Sequence, residues 1–131
     1  MTTDLLTIRQ MCDAFDVTPR TLRFYESKEL LFPIREGTRR LFTKRDRARL
    51  KLILRGKRFG FSLEDIRQIL DLYERDGANE MQAMRTYELA RERLAEMEAQ
   101  RAELDVAITE LKLELAEGEK MIAGLRQEAA E

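Results

Sequence analysis

The chain has 131 residues, room for one small domain and an appendage but not for two independently cored domains. Charged residues make up 37%, no run of about 18 apolar residues could span a bilayer, and the start MTTDLLTIRQ lacks the basic opening and apolar core of a secretory signal, so a cytoplasmic protein is expected. The lone Cys12 cannot form an internal disulfide, and without histidine the common ligands for zinc, copper or an iron–sulfur cluster are missing, so neither metal nor cofactor is expected. Nor is there a histidine base, a Gly-rich phosphate loop or a nucleophile beside an activating base, which argues against an enzyme.

Residues Ile8, Met11, Cys12 and Phe15 recur at i, i+3, i+4 and i+7, one stripe of an amphipathic helix with Thr7 as its N-cap. That spacing makes Cys12 a small core residue. After Asp16-Val17, Thr18 suits an N-cap and Pro19 a first helical position, where its missing N–H costs nothing. With Leu22 facing inward at 100° per residue, Arg20, Phe24 and Ser27 point away, Thr21 and Arg23 lie on the flanks and Tyr25 sits near the buried edge. Two helices joined by a tight turn, the second with exposed Arg and Thr near its start, form a helix-turn-helix whose second helix fits a DNA major groove.

The stretch LLFPIREGTRRLF, residues 30–42, places β-favouring residues on both sides of Gly37, and Pro33 rules out a central strand position, so a hairpin or wing is expected. Thr43 with Asp46, and Ser62 with Asp65, resemble capping boxes ahead of helices over roughly 44–58 and 63–75. Gly60 ends the first of these, and Phe59 and Phe61 beside it are expected to close the core.

Charge is segregated along the chain. Residues 1–75 hold 17 Lys/Arg against 11 Asp/Glu, a balance of +6, and residues 76–131 hold 7 against 14, a balance of −7. Between Arg39 and Arg58 ten Lys/Arg stand against the single acid Asp46, a density that a phosphate backbone would attract.

From Glu80 to Glu117 there is neither proline nor glycine, and Tyr87, Ala90, Leu94, Met97, Arg101, Leu104, Ile108, Leu111 and Leu115 alternate spacings of three and four. Such a heptad seam over more than four repeats is expected to pair with a second copy of the same helix. Arg101 is a polar interruption of the kind that fixes register or direction. A weaker outer stripe runs through Ala95, Ala99, Ala102, Val106, Leu113 and Ala116, and Gly118 and Gly124 bracket a possible last short helix. The expected organisation is a DNA-binding domain over 1–76, a dimerisation helix over 80–117 and a short tail over 118–131.

The motifs TIRQMCDAFDVTPRTLRFYESKELL, RRLFTKRD and GFSLEDIRQIL together resemble the MerR family of bacterial transcription regulators, over about Leu6 to Leu72. The resemblance implies a mainly α protein: a winged helix-turn-helix domain followed by a long dimerisation helix that forms an antiparallel coiled coil. It further implies a homodimer on a palindromic double-stranded DNA site, bending or untwisting a promoter for RNA polymerase. Arg20, Arg23 and Tyr25 match recognition-helix positions that contact DNA, and Arg40 matches the wing arginine that grips phosphate. Together with the residue-level reading, the candidate DNA contacts are Thr18, Arg20, Thr21, Arg23, Phe24, Tyr25, Arg39, Arg40 and Lys44.

Two positions depart from the pattern. Phe24 stands where a hydroxyl-bearing aromatic is frequent, and Arg39 stands where the wing often has tyrosine. The cysteines of the family's metal and redox sensors are missing, and the residues after Glu117 are too few for a large ligand domain, which leaves a small organic or acyl-thioester effector or none. Two other readings compete: an architectural or excisionase-like DNA-bending protein, and a MerR-like module that binds chaperone partners.

Overall fold

A computed structural model describes residues 4–74 and 79–131. The chain divides into two compact units, Met1–Leu89 and Ala90–Glu131. The expected end of the fourth helix at Arg75 and the domain boundary at 76 lie outside the described residues. No helix among the described residues is long and apolar enough to cross a membrane.

The first unit opens with a two-residue strand β1 (Leu6–Thr7) leading into α1 (Ile8–Phe15). Thr7 closes a full capping box with Gln10: its hydroxyl accepts the Gln10 N–H while Gln10 Oε1 accepts the Thr7 N–H at 2.8 Å. The helix stops at Asp16, which adopts the left-handed conformation (φ 54°) and returns its N–H to the Cys12 carbonyl. Helix α2 (Pro19–Ser27) starts as the sequence indicates, with Thr18 as N-cap and Pro19 in its first turn.

The wing is a hairpin of β2 (Ile34–Glu36) and β3 (Arg39–Phe42), turning at Gly37, whose φ of 64° suits glycine. Its register pairs Ile34 with Leu41, Arg35 with Arg40 and Glu36 with Arg39. Strand β1 adds to the other edge of β3, pairing Leu6 with Phe42 and Thr7 with Leu41, so the hairpin expected from sequence is a three-stranded antiparallel sheet with β3 in the middle. Two residues are too few to show a period of two, which is why β1 left no pattern in the sequence. Pro33 precedes the edge strand β2, where a missing N–H does no harm.

Helices α3 (Lys44–Phe59) and α4 (Leu63–Glu74) follow, each behind the capping residues expected of it. Gly60 ends α3 in the left-handed region at φ 83°. The two cross where Gly56 meets Ile66: a Cβ built on Gly56 would lie 2.7 Å from Ile66 Cγ1. Glycine here permits a close helix approach that any side chain would prise open. The core consists of Met11, Leu22, Tyr25, Leu30, Leu31, Phe42, Leu50, Ile53, Ile66 and Leu70, with Cys12 partly buried against it. Phe61 packs on that core, whereas Phe59 is 41% exposed and meets the Phe61 ring edge-on, contrary to the expectation that both close the core.

Helix α5 (Glu80–Ala130) is N-capped by Asn79, whose Oδ1 accepts the Gln82 N–H at 2.8 Å. It is one continuous element of 51 residues, so the expected stop near Glu117 and the separate short helix are corrected: helix runs through Gly118 and Gly124. A helical glycine costs only about 1 kcal/mol, too little to break a helix whose flanking residues favour it. None of the residues of α5 is buried.

Candidate nucleic-acid interface

The two candidate threonines at the start of α2 hold each other. The Thr18 hydroxyl accepts the Thr21 N–H at 3.2 Å and lies 3.0 Å from the Thr21 hydroxyl, so both fix the helix start. Leu22 is fully buried, which turns Arg20, Arg23 and Phe24 to solvent, as the helical period requires. Phe24 is 45% exposed with the Lys28 ammonium 5.7 Å from its ring centre, an aromatic and cationic surface patch. Tyr25 lies on the buried edge of α2, where the helical period sets it. It is only 4% exposed, and burial raises its phenol pKa, so its ring anchors α2 to the core.

Arg23, Arg39 and Arg40 converge with Thr7, Ile8 and Thr38 around a cleft of about 320 Å³ between the start of α1, the middle of α2 and the tip of the wing. Three guanidinium groups around one opening suit an anionic strand. Arg40, however, is already engaged: its Nε donates to Glu26 Oε1 at 2.6 Å, while Arg35 reaches Glu26 Oε2 at 3.3 Å. Glu26 thus ties both strands of the wing to the recognition helix. Sequence reasoning missed this role because its partners lie 9 and 14 residues away, beyond any helical period. Arg39 at the start of β3 and Lys44 at the start of α3 stand exposed.

The dense basic run is not one charged face. Arg45 makes a two-pronged contact with Glu74 at 3.1 and 2.8 Å, and Arg49, 7% exposed, reaches Glu74 at 2.5 Å and donates its Nε to the Leu30 carbonyl at 2.6 Å. Arg47 donates to the Asp4 carbonyl. These three arginines tie α3 to α4, to the segment after α2 and to the stretch before β1, whereas Lys51, Arg55, Lys57 and Arg58 remain exposed. The hydrogen bond from Arg45, reinforced by Arg49, holds the Glu74 carboxyl at a pKa of about 2. Asp46, the lone acid of the run, is 1% exposed, accepting the N–H groups of Phe32 at 2.9 Å and Thr43 at 3.2 Å. It joins the wing entry to the start of α3.

Arg67 of α4 donates to the carbonyls of Lys28 and Glu29, just past the end of α2, where a cation complements the helix dipole. The recognition helix is therefore held at its start by Thr18, along its length by Leu22 and Tyr25, and at its end by Arg67. Cys12 is half-buried, with its thiol pKa pushed up by burial and by Asp13, which suits packing rather than reactivity.

In α5 the seam residues Leu94, Leu104, Leu111 and Leu115 are each more than half exposed, at 55, 60, 57 and 62%. Tyr87, Ala90, Met97, Arg101 and Ile108 are not buried either, so the whole seam is open in a single chain.

The profile described as MerR HTH family regulatory protein matches residues 6–73, and that described as MerR, DNA binding matches residues 47–113. The HTH-type transcriptional regulator ZntR of Escherichia coli K12 is 37% identical over 99 residues, spanning 74% of this chain and 69% of ZntR. A mercuric resistance operon regulatory protein of Shigella flexneri is 31% identical, over 81% of this chain and 74% of its own. Among solved structures, a MerR-family transcriptional regulator from Bacillus cereus is similar at a TM-score of 0.61 and 33% identity, over 76% of this chain and 74% of that one. HiNmlR, a MerR-family regulator lacking the sensor domain and bound to promoter DNA, is similar at 0.62 and 25%, over 86% and 88%. With a winged helix-turn-helix whose recognition helix turns arginines outward, and matches that span most of the chain, this protein belongs to the MerR family of DNA-binding transcription regulators.

Proposed function

We propose that this regulator works as a homodimer, its α5 helices paired antiparallel, that seats two recognition helices on a two-fold symmetric promoter site and bends or untwists the DNA between them. The observation that carries the reading is the open apolar seam of α5 on a chain whose other unit presents Arg20, Arg23 and Arg39 to solvent. An apolar stripe of this length is covered in solution by another helix of matching period.

Deforming the site by several tens of degrees costs on the order of 1–6 kcal/mol, which phosphate contacts at both ends offset. Arg20 and Arg23 read base edges, while Arg39, Arg40 and Lys44 hold phosphates. Glu26 keeps the wing at a set distance from the recognition helix, so that both kinds of contact form together. RNA polymerase is the partner that reads the reshaped promoter. Support comes from the similarity to a regulator solved on promoter DNA.

Footprinting on the protein's own upstream region tests the reading. Protection of a two-fold symmetric site, with enhanced cleavage at its centre, is expected. Equal protection of any sequence would replace it with architectural DNA bending.

A further inference from the structure

Because α5 continues unbroken past Glu117, its seam does too: the alternation of three and four that passes through Leu111 and Leu115 reaches Gly118, Ile122 and Leu125. From this and from the charges beside the seam, we infer the register of the helix pair, a deepening that rests on the dimer proposed above. One copy lies antiparallel on the other about a centre at Val106, with Leu104 against the partner's Ile108, Arg101 against the partner's Leu111, Met97 against the partner's Leu115 and Leu94 against the partner's Gly118.

Charge selects this register. In an antiparallel pair the residues just after Ala90, Met97, Leu104, Leu111 and Gly118 face their counterparts across the seam, and such flanking charges set partner orientation. Here Arg91 meets the partner's Glu119 and Glu98 meets the partner's Lys112, each twice by symmetry. The one like-charge contact, Asp105 across the two-fold axis, has Arg101 one turn away on its own helix.

Sliding one copy by a heptad sets Arg91 against the partner's Lys112 and Glu98 against the partner's Asp105, which outweigh the attraction of Arg93 to the partner's Glu114. Sliding it the other way sets Arg91 against the partner's Arg126 and Glu98 against the partner's Glu119, which cancel the attraction of Asp105 to the partner's Lys112 and of Arg93 to the partner's Glu128. A parallel pair would stack Arg101 on the partner's Arg101 within the seam, while its flanking contacts of Glu114 with the partner's Glu119 and Arg93 with the partner's Glu98 offset each other, so it is disfavoured by the seam.

Gly118 fits the same register. Nothing lies within 4 Å of a Cβ built there, so among the described residues no tertiary contact accounts for a residue that weakens the helix. Against the partner's Leu94 its lack of a side chain provides room for a large one. Register then has a functional meaning: a slip of one heptad translates one copy along the other by about 10 Å, roughly three base steps of DNA. The last turns of α5 therefore act as a ruler for half-site spacing.

Disulfide trapping in a Cys12→Ser background reads the register. Met97→Cys with Leu115→Cys should give a covalent dimer on mild oxidation, and Leu115→Cys alone should not. Efficient trapping instead by Met97→Cys with Ile108→Cys, or with Ile122→Cys, overturns the register but leaves the dimer, as does self-trapping of Leu115→Cys. A monomer in sedimentation overturns the dimer itself. Independently, Arg91→Glu should weaken the dimer about tenfold, since two attractive pairs become repulsive, and adding Glu119→Arg should restore it. Failure of that rescue in a dimer that still forms also overturns the register.

Discussion

The wing-and-helix unit and the long helix both carry amphipathic periodicity, yet they end with opposite burial. In the first, Met11, Leu22, Phe42, Leu50, Ile53 and Leu70 are fully buried against one another. In Ala90–Glu131, Leu94, Leu104, Leu111 and Leu115 are all more than half exposed. The first unit holds several short elements that face one another, so its stripes close on themselves. A single helix has nothing of its own to fold back on. Periodicity thus states that a surface must be covered, and the number of facing elements within the chain decides whether the cover is internal.

Leu104→Asp should break that comparison most sharply. It places an unpaired carboxylate in the seam, costing the dimer about 3–5 kcal/mol and with it cooperative occupancy of two half-sites. The winged unit should keep its own melting transition. Sedimentation and a thermal melt on the same sample check both halves, and joint loss of the two would mean that the units are not independent.

Gly56→Ala is the reciprocal experiment. The new methyl would sit 2.7 Å from Ile66 Cγ1, so α3 and α4 must part, at a cost of about 1–3 kcal/mol. A lowered melting temperature with an unchanged dimer dissociation constant is expected.

Arg20→Ala tests the exposed face without disturbing either core. If Arg20 grips guanine with two hydrogen bonds, cognate affinity falls by about 1–3 kcal/mol while binding to random DNA barely changes. Equal weakening on both would make it a phosphate contact.

Acid should separate the units more gently. The Glu74 pKa is about 2 when folded, against an ordinary 4.5, so its contribution is complete above about pH 4.5 and lost as pH falls toward 2. Allowing for partial solvent screening, that contribution is about 1–2 kcal/mol. Glu74→Gln should flatten the acid limb of the stability curve by that amount. A curve of unchanged shape would show that Arg45 and Arg49 draw nothing from this carboxylate.

The smallest effect is expected of Arg40→Ala: weaker binding on all sequences, and a plot of log affinity against log salt that is shallower by about one unit of slope for each phosphate no longer neutralised. Its bond to Glu26 adds a second consequence, a looser wing. Glu26→Gln separates the two, since it frees the wing but keeps the Arg40 charge.

What the sequence determined by itself is local. Caps at Thr7, Thr18, Thr43 and Ser62, the stops at Asp16 and Gly60, the turn at Gly37 and the buried Leu22 all follow from bonds and periods spanning a few residues, and the outward Arg20 and Arg23 follow from Leu22. Resemblance to a family extended that reading to the fold and to DNA binding. Only the tertiary structure decided which charges remained available. Arg45 and Glu74 are 29 residues apart, Arg49 and Leu30 19, Arg40 and Glu26 14, and Arg67 reaches carbonyls more than 35 residues upstream. No local pattern distinguishes an arginine destined for a carboxylate from one left for phosphate, because the two have the same side chain and the deciding carboxylate lies far away in sequence. The third strand was hidden for the same reason: it depends on what lies opposite, and a one-dimensional pattern records only that something must.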